Sequence, residues 1–289
     1  MLYSLRPHAD LSAPALIAAF DGWVDAGGVA TTAASFIAEG GDVLAAFDTD
    51  ALIDYRARRP TLEIEDGVLT EMTWPELNVR RVRAGSRDLL VLTGPEPDYH
   101  WREFRGALVE IALQLGVVES VCLGAIPATV PHTRPTPVLM TGKDRTPLPT
   151  DPPLPADHMR VPAAAINLIE LHLAEHGIPS VGIWAQVPHY VAGLYQAGAL
   201  ALVERVEAQL GVSLSVEALV EASREERERL DAIVAERPDA RDYLAQLEQA
   251  ESQQTIPPGT DIAAEAERFL RDWTGERGNP FEDPPSDLG

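Results

Sequence analysis

The stretch Ala15-Leu16-Ile17-Ala18-Ala19-Phe20, running into Asp21-Gly22-Trp23-Val24-Asp25-Ala26-Gly27-Gly28 and then the small-residue run Val29 to Glu39, decides the architecture of this chain. Six apolar residues that stop at an aspartate read as a buried strand. The run from Val29, closed by Gly40-Gly41, reads as a helix. Strand, polar turn and helix in succession form the unit of an α/β sheet covered by helices, and in such sheets the turns after strands share one rim, where crevices form.

Working outward, Val43 to Phe47 is a second strand, and Leu62 to Leu69 alternates about Asp66-Gly67, a hairpin signal that makes the topology mixed. Leu89 to Leu92, Val121 to Ile126 and Val181 to Val187 bring the count to at least five core strands. Trp101, Phe104, Leu108, Ile111 and Leu115 make one helix face at 3,4,3,4 spacing, with further helices at 163–176 and 194–210. Ten of the 24 prolines fall between 127 and 162, which reads as one long loop that is functional, an interface element or disordered.

The 289 residues carry 23 basic and 45 acidic side chains, a net charge of −22, which sets the chain against nucleic acid. Residues 201–289 hold 21 acids against nine arginines, so the last third is compositionally separate. There Val216, Leu219, Val220, Leu230, Ile233 and Val234 keep one helical phase behind a Ser215 cap, and Pro238 opens a second helix. Ile262, Ala266, Phe269, Leu270 and Trp273 mark a third behind Thr260. The division expected is a core over 1–212, an acidic helical appendage over 213–275 and a mobile tail over 276–289. One cysteine, Cys122, excludes an internal disulfide and cysteine-rich zinc sites, and no long apolar run or leader is seen, so a cytoplasmic location without membrane or cofactor is expected. Lys143 is the single lysine, and Gly142-Lys143-Asp144 breaks the Walker A pattern.

Every unusual polar cluster follows a strand. Asp21 and Asp25 suit either a carboxylate pair for metal or proton transfer or a turn and helix cap. Gly27 and Gly28 suit an anion nest or a tight turn. Arg56, Arg58 and Arg59 suit an anionic ligand, an acidic partner or the chain's own acids. Glu96, Asp98 and Trp101 follow the Leu89 strand; His132 and Arg134, then His189 and Tyr190, follow the last two. Each histidine sits in a Val-Pro-His and suits acid/base work, a metal or a loop pin, and no triad spacing completes either. His172-x-x-Glu175-His176 matches a zinc-peptidase pattern but is rejected, because Gly177-Ile178-Pro179 ends the helix under His176. Cys122, inside a strand, reads as a buried small hydrophobe.

At these clusters the sequence resembles the PAC2 (proteasome assembly chaperone 2) family in its bacterial branch. The likeness rests on AFDGWVDAGG at 19–28, DYRARRP at 54–60, GPEPDYHW at 94–101, VPHTRP at 130–135 and VPHY at 187–190. It implies a three-layer α/β/α core with a mixed sheet, similar to nucleoside phosphorylases, and homo-oligomeric assembly with a trimer favoured. Archaeal and eukaryotic relatives assemble proteasome rings, many through a C-terminal hydrophobic-Tyr-any tail; Asp287-Leu288-Gly289 matches neither position. The expectation is a non-catalytic protein-assembly or scaffold role, with a protein partner, set against a phosphorylase- or hydrolase-type enzyme using the strand-end cleft on a small molecule.

Overall fold

A computed structural model describes residues 2–145, 151–152, 154 and 158–252. Along them run β1 (Tyr3–Leu5), β2 (Ala15–Asp21), α1 (Val29–Ile37), β3 (Asp42–Phe47), α2 (Thr49–Leu52), β4 (Thr61–Glu65), β5 (Val68–Thr73), β6 (Asn78–Ala84), β7 (Arg87–Pro95), α3 (Trp101–Gln114), β8 (Glu119–Ala128), β9 (Val138–Thr141), α4 (Ala165–Glu175), β10 (Ser180–Pro188), α5 (Gln196–Leu210), α6 (Glu217–Glu236) and α7 (Pro238–Ser252). Eight strands form one sheet in the order β1-β3-β6-β7-β2-β8-β10-β9. Its centre, β7-β2-β8-β10, is parallel, while β1, β3, β6 and β9 join antiparallel at the flanks.

The parallel centre follows from composition. β2, β7, β8 and β10 are near-continuous apolar runs, and such strands are stable only when both faces are covered. On one face, α1 and α5 pack Val29, Ala33, Ile37, Leu202 and Val206 against Ile17, Val91 and Ile183. On the other, α3 and α4 pack Phe104, Leu108, Ile111, Ile166 and Ile169 against Leu16, Leu90 and Leu92. Gly124 of β8 sits opposite Trp184 of β10, and a Cβ there would run into the indole. The result is a three-layer α/β/α fold on a mixed sheet.

Two readings need correction. The proline-rich stretch is not one loop, because Val138–Thr141 folds between Pro137 and Gly142 as β9 and closes the sheet edge against β10. Ser215 does not cap α6; Val216 stands at the cap without a side-chain bond. The hairpin β4–β5 forms, and it stands as a separate two-stranded sheet.

α6 packs on α5 and buries Leu219, Leu230 and Val234, while α7 buries Ala240, Leu244 and Leu247 beside Tyr190. The charged segment Arg224 to Arg229 of α6 is not all solvated, since Glu226 is buried and accepts the Gln196 N–H at 2.7 Å, capping the start of α5. The Thr260 cap, the stripe from Ile262 to Trp273, the tail over 276–289 and its last three residues lie outside the described residues.

Candidate functional site

Because β2, β7, β8 and β10 are parallel, their carboxyl ends deliver Asp21, Glu96, His132 and His189 to one rim of the sheet. β3 runs in the same sense, so Arg56, Arg58 and Arg59 after α2 reach that rim as well. The residues separate there into two groups.

Over β8 and β10 the polar groups are closed in by α6 and α7. The buried His132 has Nε2 at 3.2 Å from Asp231 Oδ1 and Nδ1 at 2.8 Å from the Tyr190 hydroxyl, which also accepts the His132 backbone N–H at 2.8 Å. One proton arrangement satisfies all three bonds: Nε2–H donates to Asp231, and the Tyr190 hydroxyl donates to Nδ1. Burial holds the His132 imidazole below its ordinary value against the pull of Asp231, and it pushes the Tyr190 hydroxyl well up. His189 Nδ1 faces the Ala128 carbonyl at 3.1 Å and so carries the proton, leaving Nε2 to accept from the Tyr243 hydroxyl at 3.0 Å. Thr133 donates to Glu248 at 2.5 Å, and Arg134, exposed, lies 3.8 Å from Glu251. Tyr190 is 3% exposed, so this Asp-His-Tyr chain has the order of a charge-relay triad but a hydroxyl that no outside molecule reaches.

Asp25 sits between the groups and serves α1. Its Oδ1 accepts the N–H groups of Ala30 and Thr31 at 2.7 and 3.2 Å, and its Oδ2 accepts the Thr31 hydroxyl at 2.5 Å. Burial pushes its carboxyl up while these bonds pull it down. Gly27 and Gly28 turn the chain with φ of 62° and 57°; the Gly28 N–H goes to the Asp25 carbonyl, and the Gly27 carbonyl takes the Tyr195 N–H.

Over β2, β7 and β3 the rim is open among the described residues. Glu96 accepts the Ala165 N–H at 2.6 Å at the start of α4, Arg58 pairs with Asp98 at 2.5 Å, and Asp98 accepts the Asp54 N–H at 2.7 Å. Backbone bonds, chiefly from Arg56, hold the Asp54 carboxyl below its usual range. Trp101 donates to the Pro97 carbonyl at 2.5 Å. Arg56 and Arg59 are exposed and make no ion pair among the described residues. On the loops of this half Trp23 is 60%, Tyr99 50% and Trp74 50% exposed, with Tyr55 edge-on to Trp74 at 4.9 Å. Asp21 is exposed and lines a hollow of about 280 Å³ with Ser35, Asn78, Arg80 and Thr93. A second hollow of about 550 Å³ lies between α1 and α6.

Among the described residues no group of three or more His, Cys, Asp or Glu converges to hold a metal, and no helix is long and apolar enough to cross a membrane. His176 sits at the C-cap of α4 with Nδ1 donating to the His172 carbonyl. Cys122 is fully buried, and burial pushes its thiol well up.

Sequence reasoning missed Asp231, Tyr243, Glu248 and Glu226, which reach the rim from helices far along the chain. Asp231 lies 99 residues from His132, and no local spacing signals such a bond. Glu226 did carry a signal: it stands seven residues after Leu219 and four before Leu230, on the apolar stripe itself.

A mixed sheet between two helical layers, with one half of its strand-end rim closed by α6 and α7 and the other open among the described residues, defines a three-layer α/β protein. The chain belongs to the PAC2 family, whose model matches residues 19–234 and so takes in most of α6. It is similar to a protein of unknown function from Corynebacterium glutamicum, at 32% identity and a TM-score of 0.82, covering 88% of this chain and 98% of that one. It is also similar to a PAC2 family protein from Streptomyces avermitilis (33%, TM-score 0.69, 80% and 99% covered) and a proteasome-assembly chaperone homologue from Mycobacterium tuberculosis (30%, TM-score 0.72, 80% and 99% covered). No curated protein matches the sequence.

Proposed function

We propose that the protein is a non-catalytic assembly factor of the cytoplasm, working as a homo-oligomer, with three copies favoured by the family resemblance, that docks another protein on the open half of the rim. One observation carries this. Of the rim's candidate acids and histidines, Asp25, Glu96, Asp98, His132 and His189 are spent on capping helices and tying elements together, while Trp23 and Tyr99, large rings with apolar bodies and polar tips, stand half or more exposed on the loops after adjacent strands. Exposed aromatic side chains and exposed arginines such as Arg56 and Arg59, all on the strand-end loops of this half, are the composition of protein-docking hot spots. Likeness to the Mycobacterium protein, itself described as a proteasome-assembly chaperone homologue, supports the same reading.

An enzyme needs acid, base and anion donors free within one pocket. Neither hollow holds His132 or His189. The test compares wild type with Trp23→Ala/Tyr99→Ala in partner capture and in a thermal-shift panel of small molecules. The expected result is a defined protein partner lost in the double variant, with no compound raising the melting temperature. A compound that stabilises wild type and not the variant, with no protein captured, would reverse the reading.

A further inference from the structure

Asp21, the last residue of β2, is exposed, and its carboxylate makes no hydrogen bond and no ion pair among the described residues. It lines the hollow of about 280 Å³ beside the ends of β2 and β7. Glu76, also exposed, lines it from the start of β6, with Oε2 accepting the Asn78 amide N–H at 2.7 Å. Asn78 is only 9% exposed, yet its Oδ1 lies in the lining and accepts no bond among the described residues. The Ser35 and Thr93 hydroxyls, on α1 and β7, are likewise unbonded there. The wall is fixed, because the β7 backbone at Gly94, with φ of 147°, runs so close to the segment before β6 that a Cβ would run into the Glu76 carbonyl. Arg80 is the cation of the lining. It donates to the Gly41 carbonyl at 3.1 Å, and Gly41 precedes β3 at the end of the sheet away from the rim. At the rim itself the hollow therefore presents acceptors in excess.

We infer that this hollow receives an arginine side chain of the docked protein, its guanidinium held by the Asp21 and Glu76 carboxylates and the Asn78 Oδ1. The inference rests on the docking reading above and names what the partner presents there. Charge selects the occupant, since two carboxylates against one tethered guanidinium leave the hollow negative within a chain of net charge −22. The acceptor set selects arginine. Its planar fork of N–H donors matches two carboxylates, an amide oxygen and two hydroxyls, whereas a lysine ammonium is a point charge with fewer donors. A neutral side chain would cover both carboxylates and compensate neither. Trp23 is two residues beyond Asp21, at most about 7 Å of chain, so a partner seated on that ring reaches the hollow. Arg56 and Arg59, on the loop after α2, ask for the opposite sign, and the two demands together fix the partner's register on the rim.

The test selects random heptapeptides displayed on phage against the full chain. The enriched peptides should share an arginine at one position, and exchanging it for citrulline, which keeps the shape and loses the charge, should weaken binding to wild type about tenfold. Asp21→Asn/Glu76→Gln should lose that discrimination, and Trp23→Ala/Tyr99→Ala should weaken the arginine and citrulline forms alike. Both acids are exposed, so their variant keeps the fold, and the citrulline exchange changes nothing in the protein. Peptides that depend on Trp23 and Tyr99 but share no arginine would overturn the inference and leave the docking reading standing. So would a citrulline form bound as tightly by wild type, or discrimination that persists in Asp21→Asn/Glu76→Gln. No enriched peptide, or peptides indifferent to Trp23 and Tyr99, would overturn both.

Discussion

The two halves of the rim are built from the same kind of loop, a polar turn after a parallel strand, and they end in opposite states. Over β8 and β10, His132, Tyr190 and His189 bond to Asp231 and Tyr243 and lie under α6 and α7. Over β2, β7 and β3, Glu96, Asp98 and Asp54 accept neighbouring backbone N–H groups, while Asp21, Trp23, Tyr99, Arg56 and Arg59 are exposed. Position at a strand end therefore does not make a residue a ligand-binding one. What decides is whether another part of the chain has already satisfied it.

Removing the cover has the largest expected effect. A chain ending at Gly211 loses the Glu226 acceptor at the start of α5, the burial of Leu219, Leu230, Val234, Leu244 and Leu247, and both histidine bonds. It should melt well below any point variant while keeping α/β circular dichroism. An insoluble product would show that α6 and α7 belong to the core and not to an appendage. Within the closed half, Tyr190→Phe leaves the buried His132 N–H without its acceptor and should cost about 1–3 kcal/mol in urea unfolding, whereas Arg58→Ala in the open half breaks a part-exposed ion pair worth about 0–1 kcal/mol.

The closed half should also carry a pH signature. His132 is faced by Asp231, Arg227 and Glu248, and burial leaves its pKa below the ordinary 6.5. The unfolded chain then takes up its proton at higher pH than the folded one does. This contribution is fully present above about pH 6.5, is lost as the pH falls from there to the folded value, and is level below it, with a slope of at most about 1.4 kcal/mol per unit. His132→Gln should remove that part of the slope. Trp23→Ala, by contrast, should change stability by no more than about 0.5 kcal/mol at any pH, because the ring is 60% exposed.

The open half was largely legible in the sequence, and the closed half was not. β2, its turn and α1 are contiguous, so strand, cap and helix could be read from one stretch, and the Asp66-Gly67 turn announced the hairpin. β6 escaped because Arg80, Arg81 and Arg83 mask its alternation; two of these arginines reach the buried Asp88, at 2.8 and 3.2 Å, and are not simply solvated. β9 hid among prolines because an edge strand of four residues needs only one neighbour. His132 and His189 were visible as residues, but their meaning came from Asp231 and Tyr243, whose approach is set by how α6 and α7 pack, which no local period encodes.

The most direct measurement of the difference between the halves places a photo-crosslinking amino acid at position 23, on the open rim, and in a separate chain at position 118, which is 48% exposed just before β8, at the opposite end of the parallel strands. Irradiated in the cells that make the protein, the chain labelled at 23 should give a discrete adduct with another protein, and the one labelled at 118 should give none. Equal adducts at both positions, or none at 23, would contradict an open rim built for docking.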